Sequence, residues 1–316
     1  MWDFAAKKAD RLDRLLRDQG FPGAEWLSRQ AWDWLLENGR IEVNGRKQTK
    51  AGAEVESGSR IQVSLPSERL GLLPADQEAP LEWEGGGLAV FAKPVGVPTL
   101  PLLPWDSSTF ASQVAAAVSR RGWMSSEEFA LLADPPSLEG GLLQRLDGDT
   151  SGLVCVALNT NTKALFRRLF SESQLEKTYY AQVSGDTKAI SGTHRLWLST
   201  EGTKVKAYGA KPKGKAEEVE LKVETECVSG HHALVKVTTR QGARHIVRAG
   251  MAHFGCPLVG DRTYGGEERS PHHQLHAQGL RLLDKKTFPA FPSMLACAPP
   301  ESFLDSLHAL GLHWKG

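Results

Sequence analysis

The sequence predicts an α+β protein: a catalytic domain on a mostly antiparallel mixed sheet flanked by helices, preceded by a small α/β domain. Three observations carry this. Strand-like segments outnumber helical ones after residue 80. The connections between them do not follow a regular βαβ alternation. Residues 1–65 hold a self-contained helix, helix and hairpin pattern of their own.

The elements follow in order. Leu12, Leu15 and Leu16 recur at helical spacing, with Gly20 as a stop and Phe21-Pro22-Gly23 as a turn. A second helix is predicted through residues 26–39, with Leu27, Ala31, Trp34 and Leu35 on one face and Gly39 ending it. A short alternating strand at 40–43 runs into Asn44-Gly45, a tight-turn signal, and a second strand covers 60–64. Residues 66–78 are polar and proline-bearing without a clear period, and are expected to form a linker. The predicted boundaries are therefore 1–65, 66–78 and 79–316. Beyond Pro80, strands are expected at 88–94, 152–159, 179–185, 219–228 and 232–240, and helices at 109–122 and 162–174. Gly85-Gly86-Gly87 reads as a hairpin turn.

Composition bounds the function classes. With 316 residues, 41% hydrophobic and 24% charged, the chain can bury a core and is long enough for two domains. No run approaches the roughly 18 apolar residues of a membrane span, and the N-terminus lacks the apolar centre of a signal peptide. Four scattered cysteines, Cys155, Cys227, Cys256 and Cys297, lack Cys-x-x-Cys pairing and suit reduced thiols. A cytoplasmic protein with no membrane partner is expected, with a monomer as the default. Lys and Arg total 38 against 37 Asp and Glu, so the net charge is only +1. Binding to nucleic acid would then rest on a local basic patch.

The densest chemistry lies in residues 140–159. Arg145, Asp147, Asp149, Thr150, Ser151 and Gly152 sit between two apolar runs. Two carboxylates with a Thr-Ser-Gly turn at a strand edge suggest a positioned acid; on spacing alone an ordinary Asx or Ser/Thr turn is the favoured reading. Residues two apart on an extended turn point to opposite sides, which argues against a two-carboxylate glycosidase using Asp147 and Asp149. His272, His273 and His276 lack a Cys or acidic partner at ligand spacing, so a metal site is not expected.

Gln144-Arg145-Leu146-Asp147-Gly148-Asp149-Thr150-Ser151-Gly152 resembles the first signature of the RluA-type pseudouridine synthases, His-Arg-Leu-Asp-x-x-Thr-Ser-Gly. The resemblance continues in register. Lys177, Tyr179, Ala181, Val183 and Gly185 match a Lys-x-Tyr-x-Ala-x-Val-x-Gly strand. Gly242, His245, Arg248, Gly255, Pro257, Gly260-Asp261 and Tyr264-Gly265 match the third signature. Residues 81–98 are similar to the strand and Lys-Pro-x-Gly turn that open that fold, and Leu275-His276-Ala277 matches a late segment. Residues 1–65 resemble a small RNA-binding module, the S-four-like domain, that many large-subunit synthases of this family carry.

The resemblance implies the pseudouridine synthase fold, and an enzyme that isomerises uridine to pseudouridine in structured RNA without metal or organic cofactor. Large-subunit ribosomal RNA is the substrate the S-four-like module favours, with transfer RNA as the alternative. Asp147 corresponds to the catalytic aspartate, Arg248 to its counter-ion, and Tyr179 to the tyrosine that packs under the uracil and can take a proton. Arg145, Gln144, Arg244, His245, Arg11, Arg14 and Arg29 are the expected RNA contacts; Thr150, Ser151, Gly152 and Lys177 are expected to hold the motif together. Tyr180 should face the opposite side of its strand, in the core. Gln144, Ala243 and Ile246 depart from the family pattern. Those departures and the neutral charge motivate a second reading, a catalytically silent RNA-binding or ribosome-assembly factor on the same fold; retention of Asp147, Tyr179 and Arg248 argues against it.

Overall fold

The computed structural model describes residues 1–18, 27–67, 70–132, 138–202 and 204–314. The predicted stop at Gly20, the turn at 21–23 and Trp26 lie outside them. The chain divides into two compact units: Met1–Glu78 with Leu100–Gly140, and Ala79–Thr99 with Gly141–Gly316.

The first unit begins with β1 (Trp2–Ala5), β2 (Asp10–Arg11), α1 (Leu12–Asp18) and α2 (Arg29–Glu37). Then come β3 (Ile41–Val43), β4 (Arg46–Lys47), β5 (Glu54–Val55) and β6 (Arg60–Val63). A four-stranded sheet runs β1-β6-β3-β4, and β2 pairs with β5. The tight turn forms as its residues require: Asn44 and Gly45 take φ of 50° and 74°, the left-handed pair that joins β3 to β4. Ser28 caps α2, its hydroxyl accepting from the Ala31 N–H at 3.2 Å. Leu12, Leu15 and Leu16 pack with Leu27, Ala31, Trp32, Leu35 and Leu36 in one core. Trp34, expected on the buried face, is only half-buried and meets Trp105 at 5.1 Å between ring centroids.

That contact belongs to a larger departure from the predicted boundaries. Residues 100–140 carry α3 (Phe110–Arg120), capped by Thr109, and α4 (Ser126–Leu131), closed by a Ser125/Glu128 capping box. Residues 71–78 are bound to them. Gly71 N–H donates to the Pro104 carbonyl and Ala75 N–H to the Ser112 carbonyl, both at 3.0 Å, and Glu78 pairs with Arg120 and Arg121. The expected linker is thus packed, and 100–140 groups with the N-terminal unit. Periodicity shows that a helix has an apolar face; it does not show what covers that face.

The second unit contains β7 (Leu81–Gly85), β8 (Leu88–Lys93), β9 (Ser151–Ala157), α5 (Thr160–Ser171), β10 (Leu175–Ser184), β11 (Gly192–Glu201) and β12 (Lys204–Tyr208). It continues through β13 (Glu217–Ser229), β14 (His232–Thr239), α6 (Ile246–His253), β15 (Leu275–Leu282), β16 (Leu295–Ala296) and α7 (Glu301–Ala309). One sheet runs β12-β11-β13-β14-β10-β15-β9-β8-β7, with β16 added beside β15. The α+β, mostly antiparallel expectation holds; β9 and β15 form the parallel pair. The β11–β12 hairpin and α7 were not foreseen. Leu196, Leu198 and Val205 of the hairpin become core only once the sheet is assembled, and Phe303 and Leu307 of α7 pack with Tyr180 and Leu234.

β10 is buried along most of its length and sorts its two tyrosines by alternation. Tyr179 joins the core with Val237, Ile246 and Leu275, whereas Tyr180 joins Leu234, Phe303 and Leu307 on the other side. All four cysteines are free. Among the described residues no helix is long and apolar enough to cross a membrane.

Candidate active site

The site is built around the turn from Gln144 to Gly152, which enters β9. Gly152 is the position that admits no alternative. Its φ is 117°, and a Cβ there would lie 2.2 Å from the Ala277 carbonyl oxygen, because β15 runs directly alongside. Upstream residues hold the turn from one side. Thr99 Oγ1 lies 2.5 Å from the Leu146 carbonyl oxygen and 3.3 Å from its N–H. The Lys93 ammonium, 1% exposed, donates to the carbonyls of Gly148 at 2.7 Å, Val97 at 2.5 Å and Pro94 at 2.8 Å. Burial pushes Lys93 down to about 7, against the pull of Asp149 and Asp147.

Downstream histidines hold the other side. His273 Nε2 lies 2.8 Å from Thr150 Oγ1, His276 Nδ1 lies 2.9 Å from Ser151 Oγ, and His272 Nδ1 lies 2.8 Å from Asp149 Oδ1. Burial pushes His273 and His276 down to about 4, so both are neutral hydrogen-bonding groups near pH 7. The Asp149-Thr150-Ser151 run is thereby held at each residue.

Asp147 projects from this turn with its side chain 28% exposed. Arg248, on the first turn of α6, donates from Nη1 to Asp147 Oδ2 at 2.7 Å. Its other two nitrogens grip Asp261 in a fork, Nε to Oδ2 at 2.7 Å and Nη2 to Oδ1 at 2.9 Å. Burial would raise the Asp261 pKa, but the Arg248 guanidinium overrides it and holds this carboxyl below the ordinary carboxylate range. Asp261 in turn accepts from the N–H groups of Thr263 at 3.1 Å and Tyr264 at 3.3 Å. The guanidinium therefore reaches Asp147 in a set direction.

His245 stands at the N-cap of α6 in the left-handed conformation, φ 54°, and makes no capping bond with its side chain. Its ring is turned inward. Nε2 lies 3.6 Å from Asp147 Oδ1, and Nδ1 lies 2.9 Å from the Tyr264 hydroxyl. That hydroxyl accepts from the Val205 N–H at 3.0 Å. Donating its own proton to Nδ1 satisfies both partners and leaves Nε2–H facing Asp147. Burial lowers the His245 pKa despite the Asp147 charge, keeping the imidazole neutral. A left-handed non-glycine residue costs on the order of 1 kcal/mol. His245→Gly is therefore expected to hold the melting temperature within about 3 °C while turnover falls about tenfold or more. Equal loss of stability and turnover would make His245 a structural residue only.

The remaining expected residues divide clearly. Tyr179 is buried at the same cluster; burial, and then the neighbouring Asp147 charge, raise its pKa and keep the phenol neutral. Lys177 is buried and donates to the Gln241 carbonyl at 3.0 Å, holding the loop that leads to α6. Arg145 and Arg244 are exposed, with no ion pair among the described residues. Gln144, expected at the RNA, turns back to the protein: its Oε1 accepts from the Cys155 N–H at 3.3 Å. In the N-terminal unit, Arg11 pairs with Asp13, Arg14 with Asp10 and Arg29 with Asp33, all on the surface. Sequence reasoning assigned no role to Asp261, Tyr264, Lys93 or Thr99. The sequence signal for the first two was their register within the third signature, and for Lys93 the Lys-Pro-x-Gly turn.

The sheet thus carries a part-exposed aspartate on a pinned turn, facing an arginine that forks onto a buried aspartate. The family model for RNA pseudouridylate synthase matches residues 87–253, and the chain belongs to that family. An uncharacterized RNA pseudouridine synthase of Chlorobaculum parvum is 30% identical over 298 residues, covering 88% of this chain and 87% of that one. The ribosomal large subunit pseudouridine synthase D of Yersinia pestis is 26% identical over 263 residues, covering 83% and 74%. Among solved structures, human RNA Pseudouridylate Synthase Domain Containing 4 shares the fold. Its TM-score is 0.56 at 20% identity, over 75% of this chain and 95% of that one.

Proposed function

We propose that this pseudouridine synthase isomerises a uridine of large-subunit ribosomal RNA, with Asp147 as the catalytic carboxylate acting on a flipped-out base. The observation that carries the reading is the Asp147–Arg248–Asp261 arrangement, in which one arginine joins a half-exposed carboxylate to a buried one at 2.7 Å on each side. The reaction breaks the N1–C1′ bond, forms C5–C1′, moves a proton from C5 and places one on N1; it needs no oxidant. A carboxylate serves it either by covalent attack or by stabilising positive charge on the ribose. Arg248 occupies Oδ2, so Oδ1 is the oxygen offered to the substrate, with the neutral His245 beside it. Tyr179 supplies an apolar surface under the uracil, and its protected phenol suits packing better than deprotonating C5.

The target base cannot be reached inside a stem, and flipping it costs a few kcal/mol. Arg145 and Arg244, both exposed, would meet the RNA beside Asp147. Arg11, Arg14 and Arg29 of the N-terminal unit, read as S-four-like, would exchange weak surface ion pairs for phosphates at little cost. The large-subunit assignment draws on the resemblance of residues 1–65 and on the similarity to the ribosomal large subunit synthase of Yersinia pestis. Mapping pseudouridines in total RNA from cells with and without the gene tests it. One or more large-subunit sites should vanish; loss confined to transfer RNA would move the substrate, and loss of none would favour the silent RNA-binding factor.

A further inference from the structure

Tyr264, whose hydroxyl meets His245, also lines a groove of about 360 Å³ between β12 and α6. β12 is the last strand of the large sheet. Its alternation turns Val205 into the core and leaves Lys204 and Lys206 exposed on the rim. Ala249 and Ala252 of α6 line it too, small enough to admit a flat ring or a ribose. Its one acidic lining residue, Glu201, is already engaged by Lys206 at 3.5 Å and by the Tyr208 hydroxyl at 3.0 Å. Lys204 has no ion pair among the described residues. Lys211, Lys213 and Lys215 follow on the next turns, all exposed. In a chain of net charge +1, five lysines between residues 204 and 215 form a strong local concentration of positive charge.

We infer that this groove holds the RNA strand adjacent to the target uridine, one nucleotide seated against Ala249 and Ala252 with its phosphates on Lys204 and Lys206. The inference rests on the pseudouridine synthase reading and extends it to a second contact. Tyr264 is shared by groove and catalytic cluster: its ring lies 5.3 Å from the Arg248 guanidinium carbon, and its hydroxyl 2.9 Å from His245. An occupant of the groove is therefore one side chain removed from the residues that touch Asp147. Strand phosphates held there would offset part of the cost of unstacking the target base.

The test uses the full chain and total RNA from cells that lack the gene, labelled with tritium at uracil C5, so that turnover releases tritium. Lys204→Ala/Lys206→Ala is expected to raise the apparent KM about tenfold and keep kcat within about twofold. Each lost phosphate contact flattens the salt dependence of RNA binding by about 0.7 in log–log slope, so the pair should lose about 1.4. Removing two exposed charges elsewhere, Lys285→Ala/Lys286→Ala, should change neither quantity. Ala252→Phe, which fills the groove without altering charge, should raise KM at an unchanged salt slope. A double-lysine variant that matches the Lys285/Lys286 control in both KM and slope overturns the groove assignment and leaves the enzyme reading intact. Wild-type protein that releases no tritium from this RNA overturns the reading beneath it.

Discussion

Asp147→Asn is expected to stop pseudouridine formation, lowering turnover by about four orders of magnitude or more, while the protein folds normally. The substitution is isosteric, and the amide oxygen can still accept from Arg248. Arg248 keeps its two bonds to Asp261, so no buried charge is stranded. What disappears is the negative charge on an oxygen facing the substrate, the quantity that both candidate reaction routes need. Circular dichroism and urea unfolding should overlay with wild type. Measurable turnover near the wild-type rate would remove Asp147 from the chemistry, and a collapsed fold would show that it serves structure.

Arg248→Ala carries the second large effect, and here stability and activity fall together. Asp261 is 1% exposed, and without the guanidinium its carboxylate is buried unpaired, a change worth about 3–5 kcal/mol. The pH dependence separates the causes. In wild type the Asp261 pKa is depressed, so its stabilisation is present above the unfolded value near 3.8 and is lost only as pH falls through the lower folded value. In the variant the guanidinium no longer opposes burial, which the remaining backbone N–H bonds counter only in part, so that pKa rises. The penalty is then greatest at neutral pH and is relieved as acid protonates the carboxyl. Urea midpoints at pH 7 and pH 4.5 should therefore draw closer to wild type at the lower pH; a constant gap would mean that Asp261 is not the group left stranded. Arg248→Lys, a point charge without the fork, should fold better than Arg248→Ala yet still lose most of its turnover.

The sequence exposed the chemistry more fully than its supports. Asp147, Tyr179 and Arg248 stand in recognisable registers, and strand alternation assigned Tyr179 and Tyr180 to opposite faces. Gln144 was expected at the RNA because it stands where the family pattern has a histidine, and nothing local reveals that its amide bonds to β9. Residues 100–140 were grouped with the catalytic domain by adjacency, although Trp105, Pro104 and Ser112 bind them to the first unit. The three histidines could be excluded as metal ligands but not given a use. Their partners lie 123 to 125 residues away in the chain, and no periodicity encodes that distance.

That separation has a consequence during synthesis. Thr150, Ser151 and Asp149 leave the ribosome long before His272, His273 and His276, and β9 waits for β15 to lie alongside it. A nascent chain that ends before residue 270 holds Asp147 on a turn that lacks its histidine partners. Contacts of such long range form late in folding, so this turn gains its full set of partners only near the end of translation.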